Sequence, residues 1–201
     1  MLIAGITGGM ACGKSFVANE LRKLGAYVIE ADEVGHEVLA PSGEASAQVI
    51  AEFGTGVAAE AGGVDRARLA AVVFGNPAAL ARLNAIVHPA VRDRARREAA
   101  EIATRDPEAV IVYVAAILIE SGGLADLSRL IVVKCSPEQQ LARALERPGA
   151  TPESVKARLE HQLPMAEKLA RADSVIDTSG TKEETLRQTK IVFEELRKLA
   201  R

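Results

Sequence analysis

A glycine-rich segment near the N-terminus has the residue types and spacing of a phosphate-binding loop. Residues Gly8 to Ser15 read G-G-M-A-C-G-K-S, which fits the pattern G-x-x-x-x-G-K-[ST] without a gap. Glycines permit a tight turn whose backbone N–H groups point at phosphate oxygens, and a following helix adds its positive N-terminal end. We expect Lys14 to reach the β- and γ-phosphates of ATP and the Ser15 hydroxyl to bind Mg²⁺. The alternative is an ordinary glycine turn, but a strand before the segment and a helix after it favour the nucleotide site.

The same loop occurs in GTPases, ATPases and small-molecule kinases, so other residues must distinguish these classes. The chain contains no Asn-Lys-x-Asp sequence of the kind that reads guanine. The third predicted strand has no Asp at the end of its apolar run, where an ATPase usually places a metal-binding carboxylate, and the nearest acid is Glu120. Both observations favour a kinase.

Two acids follow the second predicted strand. Residues two apart on a strand face the same way, so Glu30 and Asp32 are expected to share a face near the carboxyl end of the sheet. An acid there can take a proton from an acceptor hydroxyl in line with the γ-phosphate. Alternatively, Asp32 caps a helix predicted over Glu33 to Leu39. The spacing alone leaves both roles open.

Two further groups of basic residues have helical spacing. Pro89 can start a helix, which would place His88, Arg92 and Arg96 on roughly one face, suited to an acceptor's phosphates. The alternative is that His88 caps a helix and that both arginines are solvated. For Arg96 the solvated interpretation is favoured.

Arg143 and Arg147 are also four residues apart, so one helical face would present two guanidinium groups. Planar guanidinium groups suit the charge on a transferred phosphoryl group. The same reasoning extends to Arg158. The alternative for Arg143 and Arg147 is ordinary surface charge, since Glu146 lies beside them.

The apolar pattern must supply the elements that position these residues. It predicts an α/β fold in which a five-stranded parallel sheet is flanked by helices, because each apolar run is nearly continuous and helical patterns separate the runs. The predicted strands are Leu2 to Ile6, Ala26 to Ile29, a strand within Ala109 to Ile119, Leu130 to Cys135 and Ser174 to Ile176, and the predicted helices include Lys14 to Leu24, Val91 to Thr104 and Lys182 to Leu199.

Two stretches exceed what a crossover connection needs. Residues 33–106 have a helical pattern and are predicted to form a helical lobe on the sheet. Residues 146–172 are charged and rich in proline, which suits a mobile lid. The core of the single domain is then predicted to comprise residues 1–32, 107–145 and 173–201.

Composition excludes several classes of protein. The net charge of −2 argues against general binding to nucleic acid or to anionic membranes, and no apolar run approaches the ~20 residues of a membrane helix. The N-terminal residues lack the pattern of a signal peptide. The two cysteines, Cys12 and Cys135, lack C-x-x-C spacing, which predicts two free thiols in a reducing cytoplasm. Although a thiol near a helix N-terminus can be acidified, we interpret Cys12 as inert.

Across essentially its whole length, the sequence resembles the dephospho-CoA kinase family. None of the motifs that follow the phosphate-binding loop is decisive alone, but their order and spacing together are specific to this family. The matching segments are Gly5 to Gly9, Gly13 to Ser15, Glu30 to Asp32, His36 to Leu39, Val87 to Arg92, Glu120 to Gly122, Gln140 to Arg143, Arg147, Arg158 with Gln162, and Ala172 to Asp177.

This resemblance implies phosphorylation of the ribose 3′-hydroxyl of dephospho-CoA by MgATP, giving CoA and ADP. It implies a P-loop kinase fold with a helical CoA-binding lobe and a lid, in a cytoplasmic enzyme that is a monomer or a weak homo-oligomer. The resemblance also implies roles for individual residues: catalysis by Asp32, Lys14 and Arg143; ATP binding by Gly8, Gly9, Ala11, Cys12, Gly13, Lys14, Ser15, Phe16 and Arg147; substrate binding by Asp32, His88 and Arg92; and metal binding by Ser15.

The sequence departs from the family's common pattern at several positions. Ala11 replaces a glycine and would be strained if that residue needs a positive φ, and Phe16 replaces a threonine near the phosphates. Ala116 lies in a segment that commonly contains a proline, Thr178 replaces an asparagine near the expected adenine, and Glu30 replaces an aspartate. The departures at Ala11, Phe16 and Ala116 support one competing hypothesis, a non-catalytic nucleotide-binding protein. The other competing hypothesis is a different small-molecule kinase on the same scaffold, such as a nucleoside or nucleotide kinase.

Overall fold

The computed structural model describes residues 1–123, 127–160 and 162–201. Within them the chain forms two compact units: Met1–Ile29 with Glu101–Arg201, and Glu30–Ala100. The strands are β1 (Leu2–Gly8), β2 (Tyr27–Glu30), β3 (Val110–Val114), β4 (Arg129–Lys134) and β5 (Ser174–Asp177). The helices are α1 (Lys14–Leu24), α2 (Ala31–Leu39), α3 (Ser46–Phe53), α4 (Arg66–Val73), α5 (Pro77–Arg105), α6 (Pro137–Leu145), α7 (Pro152–Glu160), α8 (Met165–Leu169) and α9 (Lys182–Ala200), with a 3₁₀ turn at Thr55–Val57.

The five strands form one sheet in the order β2-β3-β1-β4-β5, and β1 pairs in parallel with both β3 and β4. The central strands are buried because helices cover both faces of a parallel sheet, which explains their continuous runs of Val and Ile. The predicted five-stranded parallel sheet with flanking helices is confirmed. The order places the turn after β1, which carries the glycine motif, in the middle of the sheet.

The core of the first unit consists of aliphatic side chains from the strands and from two helices. Val17 and Leu21 of α1 pack with Phe193 and Leu196 of α9 against the apolar residues of β1. Burying each such side chain contributes about 1.5–3 kcal/mol to folding. The helices end as their sequences dictate: Gly25 adopts a left-handed conformation (φ 107°) after α1, and Thr181 with Glu184 forms a capping box on α9.

The second unit is helical, and two of its helix boundaries differ from those predicted. Helix α2 begins at Ala31 rather than Glu33, because the chain turns into a helix directly after β2. Helix α5 begins at Pro77, with the Asn76 side chain accepting from the Ala79 N–H at 3.0 Å, so Pro89 lies inside a 29-residue helix and does not start one. Within the described residues, every helix is too short or too polar to cross a membrane.

The third differing boundary concerns α6 in the first unit. This helix ends at Leu145, two residues before Arg147. Arg147 precedes Pro148, and a residue before proline is disfavoured in helical conformation. The prediction that Arg143 and Arg147 share one face of a helix is therefore wrong.

Candidate active site

The glycine motif forms the turn between β1 and α1. Gly8 is packed so closely on β4 that a Cβ built there would lie 2.0 Å from the Val133 carbonyl oxygen. Gly13 precedes α1 with φ 84°, a conformation that glycine adopts without strain. Ala11 is also in the left-handed region, with φ 59°. The expected strain is therefore present, and it costs about 1–2 kcal/mol relative to a right-handed conformation.

Lys14, Ser15 and Phe16 open helix α1. The Lys14 ammonium group reaches back over the turn and donates to the carbonyl oxygens of Gly8 at 3.0 Å and Gly9 at 2.8 Å. Ser15 is exposed, and Phe16 is half-buried. The turn thus presents a positive charge and a hydroxyl group at the N-terminal end of a helix, which is the arrangement that binds phosphate.

Arg143 is fixed by the segment that follows β5. Its guanidinium group donates to the Thr178 hydroxyl at 3.1 Å and to the Thr178 carbonyl at 3.0 Å. The Thr178 hydroxyl in turn lies 3.0 Å from the Cys12 carbonyl and 3.2 Å from the Lys134 carbonyl, so its single proton is shared between them. Arg143 is therefore linked to the phosphate-binding turn through one side chain. Sequence reasoning noted Thr178 as a departure but missed this bridging role.

The segment after α7 contacts the turn as well. The Gln162 side-chain carbonyl accepts from the Met10 N–H at 3.0 Å. Of the other arginines predicted in this region, Arg147 and Arg158 are both exposed. The sequence pattern included Gln162 without giving it a role, because a side chain that binds a backbone N–H leaves no periodic signal.

An ion pair that the sequence did not predict lies beside this segment. The Lys168 side chain is buried, and its ammonium group donates to Glu120 at 2.9 Å and to the Ala116 carbonyl at 3.0 Å. Glu120 also accepts from the Leu163 N–H at 2.9 Å. Burial raises the pKa of Glu120, but the bonds from Lys168 and Leu163 outweigh it and hold the pKa below its usual value. Glu120 is therefore held as an anion by a buried lysine and a backbone N–H group.

Asp32 belongs to the second unit, where it lies exposed in the first turn of α2. The N-cap of α2 is Glu30, so the prediction that Asp32 caps the helix is wrong. The prediction that Glu30 and Asp32 share a strand face is also wrong, because the strand ends at Glu30. The positive end of the helix favours Asp32 and Glu33 at these positions.

His88 and Arg92 lie one turn apart in the middle of α5. His88 is half-buried; burial lowers its pKa, and the charge of Arg92 lowers it further. The lowered pKa favours the neutral imidazole near neutral pH. His88 caps no helix end, so that alternative is wrong. Arg96 is exposed and donates to Asp93 at 3.2 Å.

Comparison with known proteins decides the class of this chain. A sequence model described as dephospho-CoA kinase matches residues 2–184. The chain belongs to the dephospho-CoA kinase family. The dephospho-CoA kinase of Leifsonia xyli subsp. xyli is 43% identical over 199 residues, covering 98% of this chain and 100% of the relative. That of Geobacillus kaustophilus is 44% identical over 187 residues, covering 93% and 92%.

A solved structure agrees with this assignment. Dephospho-CoA kinase from Campylobacter jejuni superposes with a TM-score of 0.65 at 26% identity, covering 98% of this chain and 97% of that chain. The P-loop kinase fold predicted from the sequence is confirmed, as is the resemblance to the dephospho-CoA kinase family. The chain is thus a phosphotransferase of the last step of CoA biosynthesis, and its family uses ATP as phosphoryl donor.

Proposed function

We propose that this dephospho-CoA kinase transfers the γ-phosphoryl group of ATP to the ribose 3′-hydroxyl with Asp32 as general base and with Lys14 and Arg143 as the cations that stabilise the transferred group. The observation that carries the proposal is the turn from Gly8 to Ser15, in which Lys14 lies over the backbone of its own loop. When the nucleotide binds, the ammonium group exchanges two carbonyl partners for phosphate oxygens of opposite charge.

The donor site consists of Gly8, Gly9, Ala11, Cys12, Gly13, Lys14, Ser15 and Phe16. Backbone N–H groups of this turn and the N-terminal end of α1 bind the phosphates. Arg143 uses two N–H groups to bind Thr178, which fixes the plane of its guanidinium group and leaves N–H groups to donate to the nucleotide. Arg147 is exposed beyond the end of α6 and contributes to binding ATP from the lid.

Mg²⁺ is proposed to bind together with ATP. Within residues 1–123, 127–160 and 162–201, no cluster of three or more His, Cys, Asp or Glu side chains offers a site for a metal ion by itself. The exposed Ser15 hydroxyl at the start of α1 fits an ion that takes most of its oxygen ligands from phosphates and water. Such an ion would neutralise charge that develops on the β- and γ-phosphates.

Asp32 is proposed to take the proton of the acceptor hydroxyl. As the hydroxyl oxygen forms its bond to the γ-phosphorus, the bond from that phosphorus to the ADP oxygen breaks, and the proton moves to the Asp32 carboxylate. The exposed position of Asp32 in the first turn of α2 leaves its carboxylate accessible to a substrate.

Residues 33–106 are proposed to bind the acceptor. The neutral His88 and the adjacent Arg92 provide a hydrogen-bonding ring and a guanidinium group on one face of α5, which suits the phosphates of dephospho-CoA. Residues 146–172 are proposed to act as the lid, which excludes water and suppresses ATP hydrolysis.

We further propose a cytoplasmic protein that is a monomer or a weak homo-oligomer and binds no nucleic acid. The two free thiols support a reducing compartment, and the net charge of −2 supports the absence of nucleic acid.

The test of the general base compares two adjacent acids of the same helical turn. Asp32→Asn is expected to lower kcat by about 10²–10⁴-fold, because a positioned base contributes that much, while the Kd for ATP stays unchanged. The matched control is Glu33→Gln, which removes the neighbouring exposed acid and is expected to keep kcat within about twofold. Activity of Asp32→Asn within a few-fold of the wild type would refute the role of Asp32.

A further inference from the structure

The two cysteines of the chain meet beside the phosphate-binding turn. Cys12 lies in the turn, and Cys135 follows β4, 123 residues further along the chain. Their sulfur atoms are 2.9 Å apart, the Cys135 thiol donates to the Cys12 sulfur, and both are free cysteines. Cys12 is buried, whereas Cys135 is partly exposed.

The backbones that carry the two cysteines are held side by side by one residue. The Thr178 hydroxyl contacts both the Cys12 carbonyl and the carbonyl of Lys134, the residue before Cys135. The Thr178 N–H also donates to the Lys134 carbonyl at 2.8 Å. A disulfide requires an S–S distance of about 2.05 Å, so the sulfur atoms need to approach by only ~0.9 Å.

We propose that Cys12 and Cys135 are a site of reversible oxidation, at which a hydroperoxide converts the two thiols into an intramolecular disulfide. The Cys135 sulfur, which is the accessible one, attacks the peroxide; the O–O bond breaks, giving a sulfenic acid and one water molecule or alcohol. The Cys12 sulfur then attacks the Cys135 sulfur, forming the S–S bond and expelling the hydroxyl group, which leaves as water with the Cys12 proton. The peroxide receives the two electrons that the thiols lose.

The two steps differ in speed. Burial raises the pKa of Cys135 to about 12, and its bond to Cys12 adds to this. Because the thiolate is the nucleophile, the first step is slow, and the site responds to sustained rather than brief exposure. The second step is fast, because the attacking sulfur is already within contact distance of its target.

Closing the disulfide changes the phosphate-binding turn. A Cβ built at Gly9 would lie 2.7 Å from the Cys12 sulfur, so this sulfur is packed directly against the turn. Drawing it towards Cys135 displaces Cys12 and its neighbours Ala11 and Gly13, which carry the left-handed conformations of the turn. A displacement of about 1 Å near a reacting group can lower a rate by about 10²-fold, so we expect the oxidised protein to lose at least about tenfold in kinase activity.

The experiment treats the full chain with hydrogen peroxide, alkylates the remaining thiols and measures the intact mass and the rate of ADP release. The wild type is expected to lose two hydrogens and both alkylation sites as a monomeric species, and dithiothreitol is expected to restore the thiols and the activity. Cys135→Ser, whose side chain lies outside the donor site, is the matched control. It is expected to start with wild-type activity and to form no intramolecular disulfide.

Three results would contradict the proposal. In the first, both wild-type thiols are still alkylated after the peroxide treatment. In the second, a thiol is oxidised to sulfinic acid and no disulfide forms. Either result would show that the geometry does not lead to a disulfide. A disulfide that leaves ADP release unchanged would refute the effect on the turn. That effect depends on the proposed donor site, whereas the mass measurement does not, so the two failures are distinguishable.

Discussion

Replacing Lys168 by Met tests whether the buried ion pair with Glu120 stabilises the fold around the sheet. The Lys168 side chain is 1% exposed and that of Glu120 is 17% exposed, so solvent screens the pair little. Removing the lysine leaves a buried carboxylate whose other oxygen, Oε2, already has no hydrogen-bond partner. Breaking a buried pair from one side costs about 3–5 kcal/mol. For a chain of this size, this corresponds to a fall in Tm of roughly 6–20 °C.

A second substitution separates the loss of the pair from the loss of packing. In Lys168→Met/Glu120→Gln the buried charge is gone, and the amide oxygen can still accept from the Leu163 N–H. The Ala116 carbonyl keeps a donor, because the Thr7 hydroxyl lies 3.2 Å from it. The double variant is therefore expected to lie within about 1–2 kcal/mol of the wild type.

The assay is urea unfolding at two pH values, with Lys156→Met as a matched control. Lys156 pairs with Glu160 at 4.0 Å on the surface, so the same substitution there is expected to cost at most ~0.5 kcal/mol. In the wild type the pKa of Glu120 is lowered by folding. The ionised carboxylate therefore stabilises the fold at pH values above the pKa of glutamate in the unfolded chain, and this stabilisation is lost as pH falls through the lowered pKa. In Lys168→Met, desolvation raises that pKa, so the variant recovers on acidification, and the gap between the two narrows at low pH.

Two results would refute this reasoning about Lys168. One is that Lys168→Met loses less than about 1 kcal/mol of unfolding free energy near neutral pH, which would mean that the buried Glu120 charge is compensated in another way. The other is a double variant that is less stable than the single one.

Two further predictions concern the residues around β4. Gly8→Ala places a Cβ 2.0 Å from the Val133 carbonyl oxygen, so it should destabilise the protein by about 1–3 kcal/mol and abolish ATP binding. Titration calorimetry with ATP measures the binding, and wild-type affinity would contradict the close packing of Gly8 on β4. Partial burial raises the pKa of Asp177, but bonds from Lys134 and the Ser179 N–H hold it at about 2, so its stabilisation is present above the usual value and lost as pH falls towards 2. Asp177→Asn should therefore lower stability in thermal unfolding by less than about 1 kcal/mol near pH 7, since the Lys134 and Asp177 side chains are both partly exposed. This loss should shrink as pH falls through about 2, and an equal loss at pH 7 and at pH 2 would refute the role of the ion pair.

The elements of the sheet could be predicted from the sequence because their signals are local. Apolar runs locate all five strands to within a few residues, and helix α1 was predicted with its observed bounds, since Gly25 ends it where a left-handed residue is needed. The errors arose where two local signals compete. Pro89 by itself predicts a helix start, but Asn76 and Pro77 provide a stronger start twelve residues earlier, and the helix continues through Pro89.

The candidate site also contains some features that the sequence predicts and others that it does not. The phosphate-binding turn and the strain at Ala11 followed from residue type, because backbone geometry there depends on glycine. The bridge from Arg143 through Thr178 and the buried partner of Glu120 depend on contacts between segments distant in the sequence. Such contacts leave no periodic pattern in one chain, so they require the fold.

The most direct test of the central claim is the initial rate of ADP release from MgATP by the purified protein, measured with and without dephospho-CoA. We predict slow release from ATP alone, a large increase on adding dephospho-CoA, and formation of CoA in equal amount to ADP. Release that is indifferent to dephospho-CoA, or an increase that occurs without formation of CoA, would contradict the proposed reaction.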